Sequence, residues 1–317
     1  MTGPSANASS SSADRVGRYI EDFYSRGSAL GEDGKTYPIP ESVTRGRASF
    51  VRRLCREQHA LTSVETGMAW GVSTLHILQA LLENGAGPRA HVVMDPAQST
   101  YFHNAAIRAV RELGLAGMIE FHEQPSELML PRLLSEGRQF DFAYIDGNHE
   151  FDGAFVDFFY VHRMLKPGGV FVIDDYNLHP VRLTCDYAER YHGYVPVGED
   201  FDGVKPHKGR RWFGLGGAVP PLPWIRAYRK PAGGVDYASF RVMPMYMAFP
   251  QYRRYASNQL RRRGLQALRD GDIAGARRNF IEAIKMEPDR FKPYLSLART
   301  FMPAKIAAAL GGDHAAR

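Results

Sequence analysis

The chain has 317 residues, 44% hydrophobic and 23% charged, an ordinary globular composition at about twice the length of an average domain. No apolar run approaches the roughly 20 residues of a membrane helix, and the first residues lack a secretory apolar stretch, so a soluble, cytoplasmic protein without a membrane partner is expected. Two cysteines, Cys55 and Cys185, exclude a disulfide scaffold, show no metal-ligand spacing and read as reduced and buried. The net charge of +6 is local: Gly203 to Val235 holds seven Lys/Arg and no Asp/Glu, while the remainder holds 33 basic against 34 acidic residues. That distribution argues against a general nucleic-acid coat and for one positive surface segment.

Residues 1–13 are rich in Ser, Ala and Asn and are expected to be disordered, because they cannot bury enough surface to offset the entropy of ordering. Over 14–60, Val16, Ile20, Phe23 and Tyr24, then Phe50, Val51, Leu54 and Cys55, fall at helical spacing and predict an N-terminal helical cap. Over 61–217, short apolar runs alternate with helical segments, which predicts an α/β fold: a doubly wound, mostly parallel, Rossmann-like sheet of seven strands. The strands are expected at Ser63–Glu65, His91–Met94, Ile119–His122, Phe140–Ile145 and Val170–Ile173, with Tyr194–Val197 and Arg211–Leu215 as a terminal antiparallel pair. Residues 218–256 read as a Pro/Gly/aromatic connector along the surface of the main domain. Over 257–317, the spacing of Leu260, Gly264, Ala267, Ala276, Phe280, Ala283 and Pro288 resembles a tetratricopeptide repeat, continued by Tyr294, Leu297, Ala298 and Phe301; an ordinary helical hairpin is the alternative. One and a half repeats must pack against the main domain, a partner or a second copy of the chain, which makes homo-oligomerisation or a protein partner through this all-α appendage one expectation.

The segment SVETGMAWGVSTLHILQAL reads as strand, glycine turn and helix, with Glu65, Gly67, Gly71, Ser73 and Thr74 at the turn. Glycine permits close backbone approach there, and the free N–H groups of a helix N-terminus suit an anionic group. The spacing E-x-G-x-x-x-G is not the dinucleotide fingerprint G-x-G-x-x-G, which makes a nicotinamide enzyme less favoured. Asp95 ends the next strand, where a carboxylate can accept hydrogen bonds from a ribose. Asp146 ends a later strand, and Asp174 with Asp175 the one after, so three carboxylates meet at the carboxyl edge of the sheet. Crowded acids repel unless protonated or neutralised, and an all-oxygen set suits Mg²⁺ better than zinc. His149, three residues beyond Asp146, has the residue type of a general base, with helix capping as the alternative.

In the order VETGMAWGVST, VVMDP, IDGNH, LKPGG and DDY, these motifs resemble the class I S-adenosylmethionine-dependent methyltransferases over about residues 60–217. The resemblance implies that Glu65, Gly67, Gly71, Ser73, Asp95 and Ser126 surround S-adenosylmethionine. Gly67 and Gly71 would lie under its methionine part, Glu65 would face the ammonium group, Asp95 would hold the ribose, and Ser126 would lie near the adenine. The EQPSE segment departs from the pattern of many relatives, with Gln124 and Pro125 in place of Gly-Asp. The resemblance further implies a Mg²⁺ ion on Asp146, Asp174 and Asp175 that aims the hydroxyl of a small acceptor, a sugar or specialised metabolite, at the methyl carbon, with Asp146 catalytic; catechol-type relatives carry a lysine base at the offset of His149, so His149 as the second catalytic residue matches in position and departs in residue type. An anionic acceptor is one expectation for the basic stretch FDGVKPHKGRRWFG; a solvated hairpin is the other. A metal-independent methyltransferase of nitrogen or of a macromolecule, and a non-catalytic scaffold that binds a protein through the helical repeat, are the rival functions.

Overall fold

The structure, a computed structural model, describes residues 11–39, 43–202, 221–233, 250–288 and 291–301. Helix α1 (Ser12–Arg26) opens with a capping box, in which the Ser11 hydroxyl accepts from the Asp14 N–H and the Asp14 carboxylate accepts from the Ser11 N–H. It therefore begins within the segment expected to be a disordered tail, of which residues 1–10 lie outside the described residues. A short antiparallel hairpin, β1 (Ser28–Leu30) and β2 (Thr36–Pro38), follows, and then α2 (Arg45–Glu57), so the helical cap also contains a small sheet.

The main sheet contains β3 (Ser63–Thr66), β4 (His91–Met94), β5 (Ile119–His122), β6 (Phe140–Ile145), β7 (Leu165–Ile173), β8 (Val195–Asp200) and β9 (Ile225–Arg229). Their order is β5-β4-β3-β6-β7-β9-β8, parallel from β5 to β7 and antiparallel at β7–β9 and β9–β8. This is the expected doubly wound α/β sheet, with its direction of winding reversing at β3. The neighbour of β7 differs from expectation. It is β9, inside the presumed connector, and Arg211–Leu215 lies outside the described residues. Ile225 and Ala227 face one core cluster and Tyr228 the other, so β9 is a buried strand, which the flanking Pro223 and Pro231 disguise as a connector.

Helices α3 (Val72–Glu83), α4 (Ala105–Glu112), α5 (Ser126–Ser135), α6 (Phe151–Met164) and α7 (His179–His192) link successive strands. Every residue of α3 from Val72 to Leu81 is buried, which fits a helix without a polar face. One core cluster joins Val16, Val51, Leu75, Leu78 and Tyr144; the other joins Met129, Leu133, Phe158, Val161 and Cys185. Both cysteines are free and buried.

The chain divides into two units, Met1–Asp236 and Tyr237–Arg317. The second contains α8 (Pro250–Arg269), α9 (Ile273–Met286) and α10 (Phe291–Arg299). A Cβ on Gly264 would stand 2.5 Å from the Phe280 ring, so the small residue lets α8 and α9 approach. Among the described residues, no helix is long and apolar enough to cross a membrane.

Candidate active site

Strand register builds the site. Thr66 pairs with Met94 on one side and Ile145 on the other, and Ile145 pairs with Ile173. The next residues, Gly67, Asp95, Asp146 and Asp174, therefore emerge side by side at the carboxyl edge. Gly67 has φ +83°, and a Cβ there would stand 2.0 Å from the Asp146 carbonyl oxygen, so only glycine lets the two chain segments pass. Gly71, also at φ +83°, caps α3 and abuts Ala106.

Glu65 is fully buried behind the turn and accepts from Ser73 Oγ at 2.5 Å and Thr74 Oγ1 at 2.7 Å, with His91 Nε2 at 2.8 Å. The expected partnership of Glu65 with a ligand's ammonium group meets a side chain already engaged by three protein groups. Ser73 lines a smaller cavity of about 550 Å³ beneath Trp70, whose ring packs on Tyr37 and Phe102. Asp95 Oδ2 accepts from the Met68 N–H at 3.0 Å and the Ala69 N–H at 2.7 Å, and Oδ1 from the Ala97 N–H at 2.8 Å, tying the glycine turn to the end of β4. Ser126 opens α5 and lines the main cavity.

At the acidic edge, His149 lies between two carboxylates, with Nε2 3.2 Å from Asp146 Oδ1 and Nδ1 3.1 Å from Asp175 Oδ2. The hydrogen bond to Asp146 raises the His149 pKa to about 9. Burial and the adjacent Asp174 charge raise Asp146 to about 7, so His149 keeps the proton of the pair. Burial also pushes Asp175 up. Asp175 stands at φ +52°, a left-handed conformation that Asp tolerates better than most residues.

Sequence reasoning missed three further groups. Arg47 of α2 makes an ion pair with the nearly buried Asp174, with Nη1 at 3.1 Å from Oδ1 and 3.3 Å from Oδ2, and its guanidinium lies over the Trp224 ring. Its signal was available, since Arg47 sits on the same helical stripe as Phe50, Val51 and Leu54, where a cation needs a partner. The fully buried Tyr144 hydroxyl donates to Asp174 Oδ2 at 3.0 Å and stands 3.3 Å from Asp146 Oδ2. Asp157, buried on α6 with its pKa raised to about 6 by burial, faces Gly147, where a Cβ would stand 2.8 Å from its Oδ2.

A cavity of about 1040 Å³ opens here, lined by Arg47, Gly67, Asp95, Ser126, Asp146, His149, Asp174, Asp175 and Trp224, among others. An all-oxygen Mg²⁺ shell on Asp146, Asp174 and Asp175 does not fit this arrangement. Both Asp174 oxygens are taken by Arg47, with Tyr144 and the Asp175 N–H on the remaining lone pairs. Among the described residues, the metal-capable group is instead Asp146, His149 and Asp175, with one atom from each within 4.8 Å of the others. There, both ring nitrogens of His149 already face carboxylates.

Comparisons with solved structures find chains of similar outline. An O-methyltransferase from Bacillus cereus in complex with SAH is 16% identical, covers 71% of this chain and 93% of its own, and superposes with a TM-score of 0.46. TomG from Streptomyces achromogenes, an O-methyltransferase involved in tomaymycin synthesis, in complex with SAM, is 16% identical over 70% of this chain and 90% of its own, with a TM-score of 0.46. The SAH-bound Podospora anserina methyltransferase PaMTH1 is 15% identical over 72% of this chain and 99% of its own, also with a TM-score of 0.46. No curated protein matches the chain. Residues 64–176, which carry the glycine turn, Asp95, Ser126 and the whole acidic edge, match the family model of a methyltransferase domain.

Proposed function

We propose that the chain transfers the methyl group of S-adenosylmethionine to an oxygen of a small acceptor, a sugar or a specialised metabolite. The observation that carries this reading is the convergence of Gly67, Asp95, Ser126, Asp146 and His149 on one cavity, inside the segment that matches a methyltransferase domain. When bound, the sulfonium cofactor supplies an already activated methyl group, so the protein has only to orient an in-line displacement and manage one proton. Gly67 lines the cavity beside Asp146, where the methionine part would lie. Asp95 Oδ1, which accepts only the Ala97 N–H, keeps one lone pair for a ribose hydroxyl, while Oδ2 is taken by the Met68 and Ala69 N–H groups and Gln98 Nε2. Ser126, with Pro125 and Glu127, lies where the adenine end would rest.

His149 is the group in reach of an acceptor hydroxyl. Asp146 holds the ring through Nε2, and in its neutral form His149 takes the hydroxyl proton at Nδ1 once that nitrogen turns from Asp175 to the acceptor. Because these carboxylates raise its pKa to about 9, turnover should climb as pH rises toward 9 and level off above it. The C-terminal helices are read as a tetratricopeptide-like appendage for a protein partner or a second copy of the chain. The close approach at Gly264 and the half-exposed Ile281, Tyr294 and Leu295 support that reading. A panel of hydroxyl and amine acceptors incubated with methyl-labelled cofactor tests the reaction. Label on hydroxyl compounds, depressed at least about a hundredfold in His149→Ala as expected for loss of a general base, is the expected result; label only on amines would overturn it.

A further inference from the structure

We propose that Arg47 is the resident counter-cation of the acidic edge, holding Asp174 in the way a divalent metal ion would, so that the site works without one. A hard cation such as Mg²⁺ needs several carboxylate or water oxygens aimed at one point about 2 Å away. Asp174 has no oxygen left to aim: Oδ1 receives Arg47 Nη1 at 3.1 Å and the Asp175 N–H at 2.9 Å, and Oδ2 receives Arg47 Nη1 at 3.3 Å and the Tyr144 hydroxyl at 3.0 Å. The pair is enclosed, with the Arg47 side chain 14% exposed and that of Asp174 3%. Its position is also fixed from outside the sheet. Arg47 stands in the first turn of α2, where its N–H donates to the Thr44 hydroxyl at 3.3 Å, and the Trp224 ring lies 5.3 Å from its guanidinium carbon. A planar guanidinium suits this role, because Nη1 reaches both Asp174 oxygens while the plane lies over an aromatic ring. The helical cap thus contributes a charge to the acidic edge as well as a wall.

That the site turns over without a metal rests on the proposed methyl transfer; the occupancy of Asp174 is independent of it. The test therefore uses the metal alone. Mn²⁺ and Mg²⁺ are titrated calorimetrically, without cofactor, into the full-length wild type, Arg47→Ala and Arg47→Lys, each checked for folding by circular dichroism. The wild type and Arg47→Lys are expected to bind neither ion tighter than millimolar. Arg47→Ala frees Asp174 beside Asp146 and Asp175 and is expected to bind Mn²⁺ at least tenfold more tightly than the wild type. Micromolar binding of either ion by the wild type, which needs no variant to fold, would overturn the proposal. So would a folded Arg47→Ala with no gain in Mn²⁺ affinity.

Discussion

Replacing Gly67 with alanine perturbs the site at its tightest point, and its cost can be worked from two separate terms. The first is conformational: at φ +83°, an L side chain pays about 1–2 kcal/mol. The second is steric. The new Cβ would lie 2.0 Å from the Asp146 carbonyl oxygen, a backbone atom that cannot swing aside, and overpacking of this kind costs about 1–3 kcal/mol. Gly67→Ala should therefore destabilise by about 2–5 kcal/mol, and relief of the overlap must push Asp146 away from β3. Gly168 supplies the control, since it has φ +77° with nothing within 4 Å of a built Cβ, so Gly168→Ala pays the conformational term alone. Urea denaturation of both variants reads the difference directly, and calorimetry should show cofactor affinity lost only in Gly67→Ala. Equal destabilisation by the two substitutions would refute the argument that the β3–β6 approach demands glycine.

Glu65→Gln should cost about 1–3 kcal/mol in denaturant, because the buried carboxylate accepts from Ser73 and Thr74 and an amide nitrogen would face those donors; a loss below about 0.3 kcal/mol would contradict that network. Burial and the nearby Arg52 charge lower the pKa of His76 to about 4, and among the described residues neither of its ring nitrogens has a hydrogen-bond partner. The unfolded chain takes up this proton below about pH 6.5 and the folded chain only near 4, so stability falls with acid by roughly 3 kcal/mol across that window. His76→Leu should flatten the corresponding part of the pH–stability curve, and an unchanged slope would exclude His76 as its source.

The sheet was legible chiefly because β4, β6 and the Val170–Ile173 part of β7 are short apolar runs, and its ligand edge because Asp95, Asp146 and Asp174 each follow the last residue of such a run, as Gly67 follows the more polar β3. What escaped was whatever depends on partners distant in sequence. Arg47 and Asp174 are 127 residues apart, so no local pattern shows that one occupies the other. Glu65 stands where an acid could face a ligand, yet the two hydroxyls of the first turn of α3 draw its carboxylate inward. Strand β9 was hidden by its flanking prolines, which locally signal a connector although the segment between them is buried on both faces. His149 had the residue type of a base, but only the structure places it between two carboxylates, which moves its titration above neutrality.

The most direct test of the central claim is calorimetric titration of cofactor-free, full-length protein with S-adenosylmethionine, in parallel with Asp95→Ala. The account predicts a single micromolar site in the wild type. In the folded variant, which loses both the ribose acceptor and the anchor of the Met68 and Ala69 N–H groups, it predicts binding at least tenfold weaker. No heat of binding from folded wild-type protein, or equal affinity in the two proteins, would contradict it.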